Sequence, residues 1–217
     1  MYNFTFNIPT KIHFGKDTIS SLSELKAYGS KVLLVYGGGS IKKNGLYDTA
    51  MKILKDAGLT VFELSGVEPN PKIETVRKGV EICKNEGIDM VLAIGGGSTI
   101  DCSKVVAAGA RYDGDAWDLV LDGSKVKAAL PIFDVLTLSA TGTEMDPFAV
   151  ISDMSKNEKW GTGSPYMVPT MSILNPEYTF SVSKKQTAAG TADMMSHTME
   201  NYFSMENADW RRDCYAQ

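Results

Sequence analysis

The chain alternates between short, wholly apolar runs and longer stretches in which apolar residues recur every three to four positions. Lys31-Val32-Leu33-Leu34-Val35-Tyr36 is such a run, and it passes at once into Gly37-Gly38-Gly39-Ser40. Leu46, Ala50, Ile53, Leu54 and Ala57 follow at helical spacing and stop near Gly58, a residue type suited to closing a helix. A short run at 61–64 predicts a second strand, and Ile73, Val76, Val80 and Cys83 share one face of the next helix. The run 88–94 enters Gly95-Gly96-Gly97-Ser98 and a helix reaching about Ala110, and another strand is expected over 131–138. These strands lack the period-two alternation of a half-exposed sheet, so both of their faces are expected to be covered. Strand–helix repeats of this size predict right-handed crossovers and a doubly wound, mainly parallel α/β sheet.

After Thr143 the pattern changes. Runs at 148–153 and 158–162 flank a polar Met-Ser-Lys-Asn tip, which predicts an inserted β-hairpin. A short strand at 172–174 precedes Asn175-Pro176, and from about Ser183 the periodicity is helical only. A domain boundary is therefore expected near Phe180, between residues 1–180 and a helical part, 181–217. Residues 208–217 read as a helix with no closing glycine, so an all-helical second domain reads as begun and cut short.

Composition narrows the function classes. A net charge of −4 offers no basic footprint for nucleic acid. No apolar run approaches the roughly 20 residues that span a bilayer. The N-terminus has no basic segment leading into an apolar one, which argues against a secretory signal. Cys83, Cys102 and Cys214 are odd in number and lack metal-ligand spacing, so free thiols in a reducing cytoplasm are expected.

Two strand–Gly-Gly-Gly-Ser–helix units carry the first chemistry. Glycine lets a backbone approach a phosphate closely, and a helix start behind it offers free N–H groups. One such loop could be merely a tight turn. Two, each at the carboxyl end of a parallel strand, point to a dinucleotide, because ligands of open α/β sheets sit at that edge. Ser98 reads as the N-cap of the second helix, with Asp101 as its capping-box partner. At the first loop, Gly39 stands where an acid excluding a 2′-phosphate could sit. Ser40, Lys42 and Lys43 suit the extra phosphate of NADP(H), although the lysines also read as a solvated helical turn. A second constellation is Asp193 and His197, spaced i, i+4 on one helix face. Such a pair can ligate a divalent metal or form a surface ion pair. Met194, Met195 and Met199 read as packing residues of that helix. His13 falls in an N-terminal strand and reads as structural.

The order of these motifs resembles the iron-dependent (group III) alcohol dehydrogenases, most of all their NADPH-linked butanol dehydrogenases. The likeness begins with Phe6-x-x-Pro9-Thr10-Lys11-Ile12-x-Phe14-Gly15-Lys16 and VLLVYGGGSIKKNGLYD. It continues through Val67-Glu68-Pro69-Asn70-Pro71, AIGGGSTIDCSK and TLSATGTEMDPFAVISD to the helix of Asp193 and His197. It implies a Rossmann-like dinucleotide-binding domain, then an all-helical domain of the dehydroquinate synthase type, with the active site in the cleft between them.

Residue by residue, the resemblance implies that Gly37, Gly38 and Ser40 hold the adenosine end of NADP(H) with its 2′-phosphate. Asn70 lies beside the ribose and pyrophosphate, and Gly95, Gly96, Gly97, Ser98 and Thr99 wrap the pyrophosphate. Thr137, Ser139 and Thr141 line the nicotinamide side, and Lys159 reaches the cofactor from the hairpin. Phe148 departs from the polar Asn that relatives often carry near the nicotinamide.

The family's metal set is one Asp and three His, of which Asp193 and His197 are the first two. The only other histidine is His13. The resemblance implies that Fe²⁺ or Zn²⁺ binds the alcohol oxygen as a Lewis acid while hydride moves between the alcohol and the nicotinamide. With two ligands, this chain alone is expected to bind cofactor and to be weakly active or inactive.

A primary alcohol or aldehyde is the expected substrate. The family often forms dimers, and the apolar side of the Asp193–His197 helix makes self-association a further expectation. Two other readings stay open: a glycerol dehydrogenase or dehydroquinate synthase relative, and a non-catalytic nucleotide-binding module.

Overall fold

A computed structural model describes Asn3, Thr5 and residues 7–203 of the chain. Cys214 and the helix expected over 208–217 lie outside the described residues. Two compact units are present, Met1–Thr179 and Phe180–Gln217.

The first unit is built on six parallel strands: β1 (Lys11–Phe14), β2 (Lys31–Tyr36), β3 (Thr60–Leu64), β4 (Met90–Gly95), β5 (Ile132–Leu136) and β8 (Met171–Leu174). They lie in the order β1-β8-β5-β4-β2-β3. Its helices are α1 (Ser40–Lys43), α2 (Leu46–Asp56), α3 (Ile73–Glu86), α4 (Gly97–Gly109) and α5 (Ala116–Leu121). β6 (Phe148–Asp153) and β7 (Glu158–Gly163) form the antiparallel hairpin, which pairs only within itself as a sheet.

Both faces of the parallel sheet are covered, which explains its unbroken apolar strands. Along β2, Leu33 and Val35 enter a core with α3, α4 and α5, while Val32, Leu34 and Tyr36 enter a core with α2. The first core holds all four helix-face residues Ile73, Val76, Val80 and Cys83. A segment at Thr18–Tyr28, a 3-10 helix that periodicity did not mark, seals the second core with Leu22 and Leu25.

Strand bounds move by one or two residues where loops begin. The run expected over 131–138 is a strand only to Leu136, yet the Thr137 N–H still donates to the Gly95 carbonyl at 2.9 Å before the chain turns away. Cys83 and Cys102 are buried free thiols, both pushed up to about 12 by burial, and so are inert at neutral pH. Among the described residues no helix is long and apolar enough to cross a membrane.

In the second unit α6 (Lys184–Phe203) is a single helix. The hydroxyl of Ser183 accepts from the Gln186 N–H at 3.2 Å, satisfying one of the free donors of its first turn. Met194, Met195 and Met199 are exposed on it.

Candidate functional site

The sheet order creates a switch point. From β2 the chain moves outward to β3, whereas from β4 it crosses to β5 on the other side. Because β2 and β4 are hydrogen-bonded neighbours, both glycine loops leave the same sheet edge side by side. This is where open α/β sheets bind ligands.

Each glycine of these loops has its own reason. A Cβ on Gly38 or Gly39 would meet nothing within 4 Å, so these positions leave room in front of the loop, and Gly39 has φ +96°. A Cβ on Gly37 would lie 3.1 Å from the Val67 carbonyl, and one on Gly95 would collide with the side chain of Thr99. Gly96 packs on Leu138, and a Cβ on Gly97 would lie 3.3 Å from Thr141 Oγ1. Gly37, Gly95 and Thr99 therefore form one tight junction, while Gly38 and Gly39 are open.

Beside this junction lies a cavity of about 310 Å³ whose lining includes Asn70, Gly97, Ser98, Thr141, Val150 and Lys159. Five residues expected to bind cofactor thus meet there, from four separate stretches of chain. Lys159 Nζ donates to Asn70 Oδ1 at 2.7 Å. Asn70 has φ +55°, a left-handed backbone that asparagine tolerates better than most side chains. Ser139 lines a different cavity, of about 250 Å³, with Phe14, Glu144, Leu174 and Asn175 at the carboxyl ends of β1 and β8. Gly37, Gly38 and Ser40 line neither cavity. Phe148, the departure noted in sequence, is exposed.

One local expectation is corrected. Ser98 does not cap α4. Gly96 occupies the N-cap with no side-chain cap, and Ser98 lies inside the first turn. Asp101 is no capping partner either. Its carboxylate accepts from the Thr143 hydroxyl at 2.7 Å and from the Val150 N–H at 2.9 Å. Tertiary donors from the following loop and the hairpin outcompete the local N–H groups. The first glycine loop also differs, since it enters the four-residue α1, not a long helix.

Sequence reading missed the network that holds the site loop. Lys104 on α4 is fully buried, and its Nζ lies 2.8–2.9 Å from Thr143 Oγ1, both the carbonyl and Oδ1 of Asp146, and the Phe148 carbonyl. A charged residue in the middle of a helix buried on almost every side was the available signal. A second missed group is Asp134 on β5, buried against Ser172 of β8 at 2.6 Å.

A third lies under the first loop. Glu63 of β3 accepts from the hydroxyls of Tyr36 at 2.6 Å and Tyr47 at 2.7 Å. Lys42 sits over both rings, 5.0 and 4.4 Å from their centroids, and 4.0 Å from Glu63 Oε2.

On α6, His197 Nε2 lies 3.7 Å from Asp193 Oδ2, and Nδ1 lies 4.0 Å from Glu200 Oε2. Among the described residues no group of three or more His, Cys, Asp or Glu is arranged to hold a metal ion. The donor pair alone does not fit a divalent ion, which needs more ligands to bind well.

Residues 9–176 match the family model for iron-containing alcohol dehydrogenase. NADH-dependent butanol dehydrogenase A of Clostridium acetobutylicum is 59% identical over 218 residues, spanning 100% of this chain and 56% of that protein. NADPH-dependent aldehyde reductase YqhD of Escherichia coli is 40% identical, spanning 93% and 52%. Among solved structures, NADH-dependent butanol dehydrogenase A of Thermotoga maritima superposes with a TM-score of 0.92 at 46% identity, over 99% of this chain and 55% of that one. The chain spans about half the length of the curated relatives it matches.

Proposed function

The chain belongs to the iron-containing alcohol dehydrogenase family, and we propose that it forms the nicotinamide-dinucleotide platform of an oxidoreductase acting on a primary alcohol or its aldehyde. The observation that carries this reading is the meeting of Asn70, Gly97, Ser98, Thr141 and Lys159 around one cavity at the sheet edge where both glycine loops leave, the first of them open at Gly38 and Gly39. When bound, the nicotinamide accepts hydride from the alcohol or returns it to the aldehyde. The names of the similar butanol dehydrogenases and of YqhD support that substrate class.

The roles of this chain's residues follow from their chemistry. Gly38 and Gly39 allow the adenosine end close to the backbone. The Gly97–Ser98 start of the 13-residue α4 offers free N–H donors to the pyrophosphate. Lys159 adds a positive charge, held by Asn70 so that it faces the same cavity. Ser139 and Thr141 place hydroxyls on the nicotinamide side. Asp193 and His197 would give one oxygen and one nitrogen donor toward a fuller metal set, which the described residues do not complete.

The two nucleotide forms differ by the 2′-phosphate. Ser40, Lys42 and Lys43 argue for NADP(H), whereas similar butanol dehydrogenases are named NADH-dependent. We take NADH as the preferred form, because Lys42 is engaged by Tyr36, Tyr47 and Glu63.

Titration with NADH, followed by nicotinamide fluorescence, is expected to show saturable binding. Lys159→Met is expected to weaken it about tenfold, the loss of one charge-assisted hydrogen bond. Unchanged affinity in this variant would remove Lys159 from the site, and no binding by the parent chain would end the reading.

A further inference from the structure

The adenosine end of the first loop rests on a charged cluster that was unexpected. Tyr36 is the last residue of β2 and is buried directly behind Gly37. Its hydroxyl and that of Tyr47 occupy one oxygen each of the Glu63 carboxylate. Burial pushes the Glu63 carboxyl up, but the two hydroxyls and the Lys42 charge outweigh it and leave the group below its usual range. Tyr47 is pushed up to about 12, first by that hydrogen bond, so its phenol stays neutral. At neutral pH the cluster therefore holds one fixed negative charge and one positive charge.

Lys42 is one of the two cations, with Lys43, that sequence assigned to a 2′-phosphate. Its ammonium is occupied elsewhere: it stacks on two aromatic faces and faces Glu63. Releasing it to a phosphate would give up both contacts and leave the Glu63 charge offset only by the two tyrosine hydroxyls and by Lys55.

Resting on the nicotinamide-platform reading, we propose that Glu63, held by Tyr36 and Tyr47, sets the nucleotide preference by retaining Lys42 and placing a negative charge where a 2′-phosphate would come. A ribose 2′-hydroxyl is insensitive to that charge; a phosphate carrying close to two negative charges is not. Glu63 is thus a specificity residue that acts through Lys42 and through its field.

The test is a paired titration of the full chain with NADH and NADPH, reading the ratio of the two dissociation constants. The parent chain is expected to favour NADH. Glu63→Gln removes the charge while keeping an acceptor for a tyrosine, and is expected to move the ratio about tenfold toward NADPH. The shift should shrink as salt is raised. A parent preference for NADPH or a ratio unmoved by Glu63→Gln would overturn the inference while leaving the platform intact. Binding of neither nucleotide by the parent chain would overturn both.

Discussion

Replacing Lys104 with methionine is expected to lower the thermal midpoint by on the order of 10 °C. Lys104 is fully buried and faces four oxygen acceptors at 2.8–2.9 Å, two of them backbone carbonyls. An ammonium has three N–H donors, so serving these acceptors needs the charged form with at least one shared hydrogen. Methionine fills similar volume but donates nothing. It leaves Asp146 Oδ1 with only the Phe148 N–H and takes the Lys104 donor from the two carbonyls. Breaking a buried ion pair from one side costs about 3–5 kcal/mol. For a domain of this size each kcal/mol moves the midpoint by about 2–4 °C. Lys78→Met, at an exposed position of α3, is the control and should stay within about 0.5 kcal/mol. The damage is local as well as global. Lys104 ties α4 to Thr143, Asp146 and Phe148, the far end of the loop that carries Ser139 and Thr141. NADH affinity should therefore fall even at temperatures where the variant is folded. A midpoint within about 2 °C of the parent, measured by circular dichroism, would mean that water or a rearranged loop replaces those bonds.

Lys104 also marks the limit of what sequence reading delivers. The doubly wound sheet was legible because β2 and β4 are pure apolar runs ending in glycine, and nothing but a strand covered on both faces suits them. The hairpin was legible from two β-rich runs around a polar tip. What escaped were contacts between residues far apart in the chain. Local pattern assigned Asp101 to Ser98, three residues away, but its real donors are Thr143 and Val150, 42 and 49 positions on. Lys42 and Lys43 read as phosphate ligands because Glu63, twenty-one positions after Lys42 and on another strand, could not be weighed against them. Asn70 and Lys159 came to the site through family likeness, not spacing; in the structure they are hydrogen-bonded partners separated by 89 positions. The long 3-10 segment at Thr18–Tyr28 was missed because its apolar residues do not follow the 3.6-residue period.

The Asp134→Asn variant is expected to be as stable as the parent at acidic pH and more stable as the pH rises. The reason lies in hydrogen-bond accounting. Ser172 Oγ is 2.6 Å from Asp134 Oδ2 and 2.7 Å from the Glu144 carbonyl oxygen. The hydroxyl has one proton, and the carbonyl can only accept. The short contact to Asp134 is then satisfied if the carboxyl is protonated and donates to Ser172. The other oxygen, Oδ1, is buried with no partner, as suits a neutral acid better than an anion. Burial, joined by the nearby Glu144 charge, pushes the Asp134 carboxyl well above its ordinary range, against the opposing pull of Ser172 and Lys104. The sign of the pH effect follows. A carboxyl whose folded pKa exceeds its unfolded value near 4 contributes fully only below that unfolded value. That contribution is lost as pH rises toward the folded pKa, at about 1.4 kcal/mol per pH unit for one proton. Asparagine supplies the same donor to Ser172 and never ionises, so its stability curve should lack this one-proton slope. Denaturant unfolding of both proteins across pH 4 to 8 measures the difference directly. Parallel curves would mean that Asp134 folds as an anion, and that Ser172 serves it in place of Glu144.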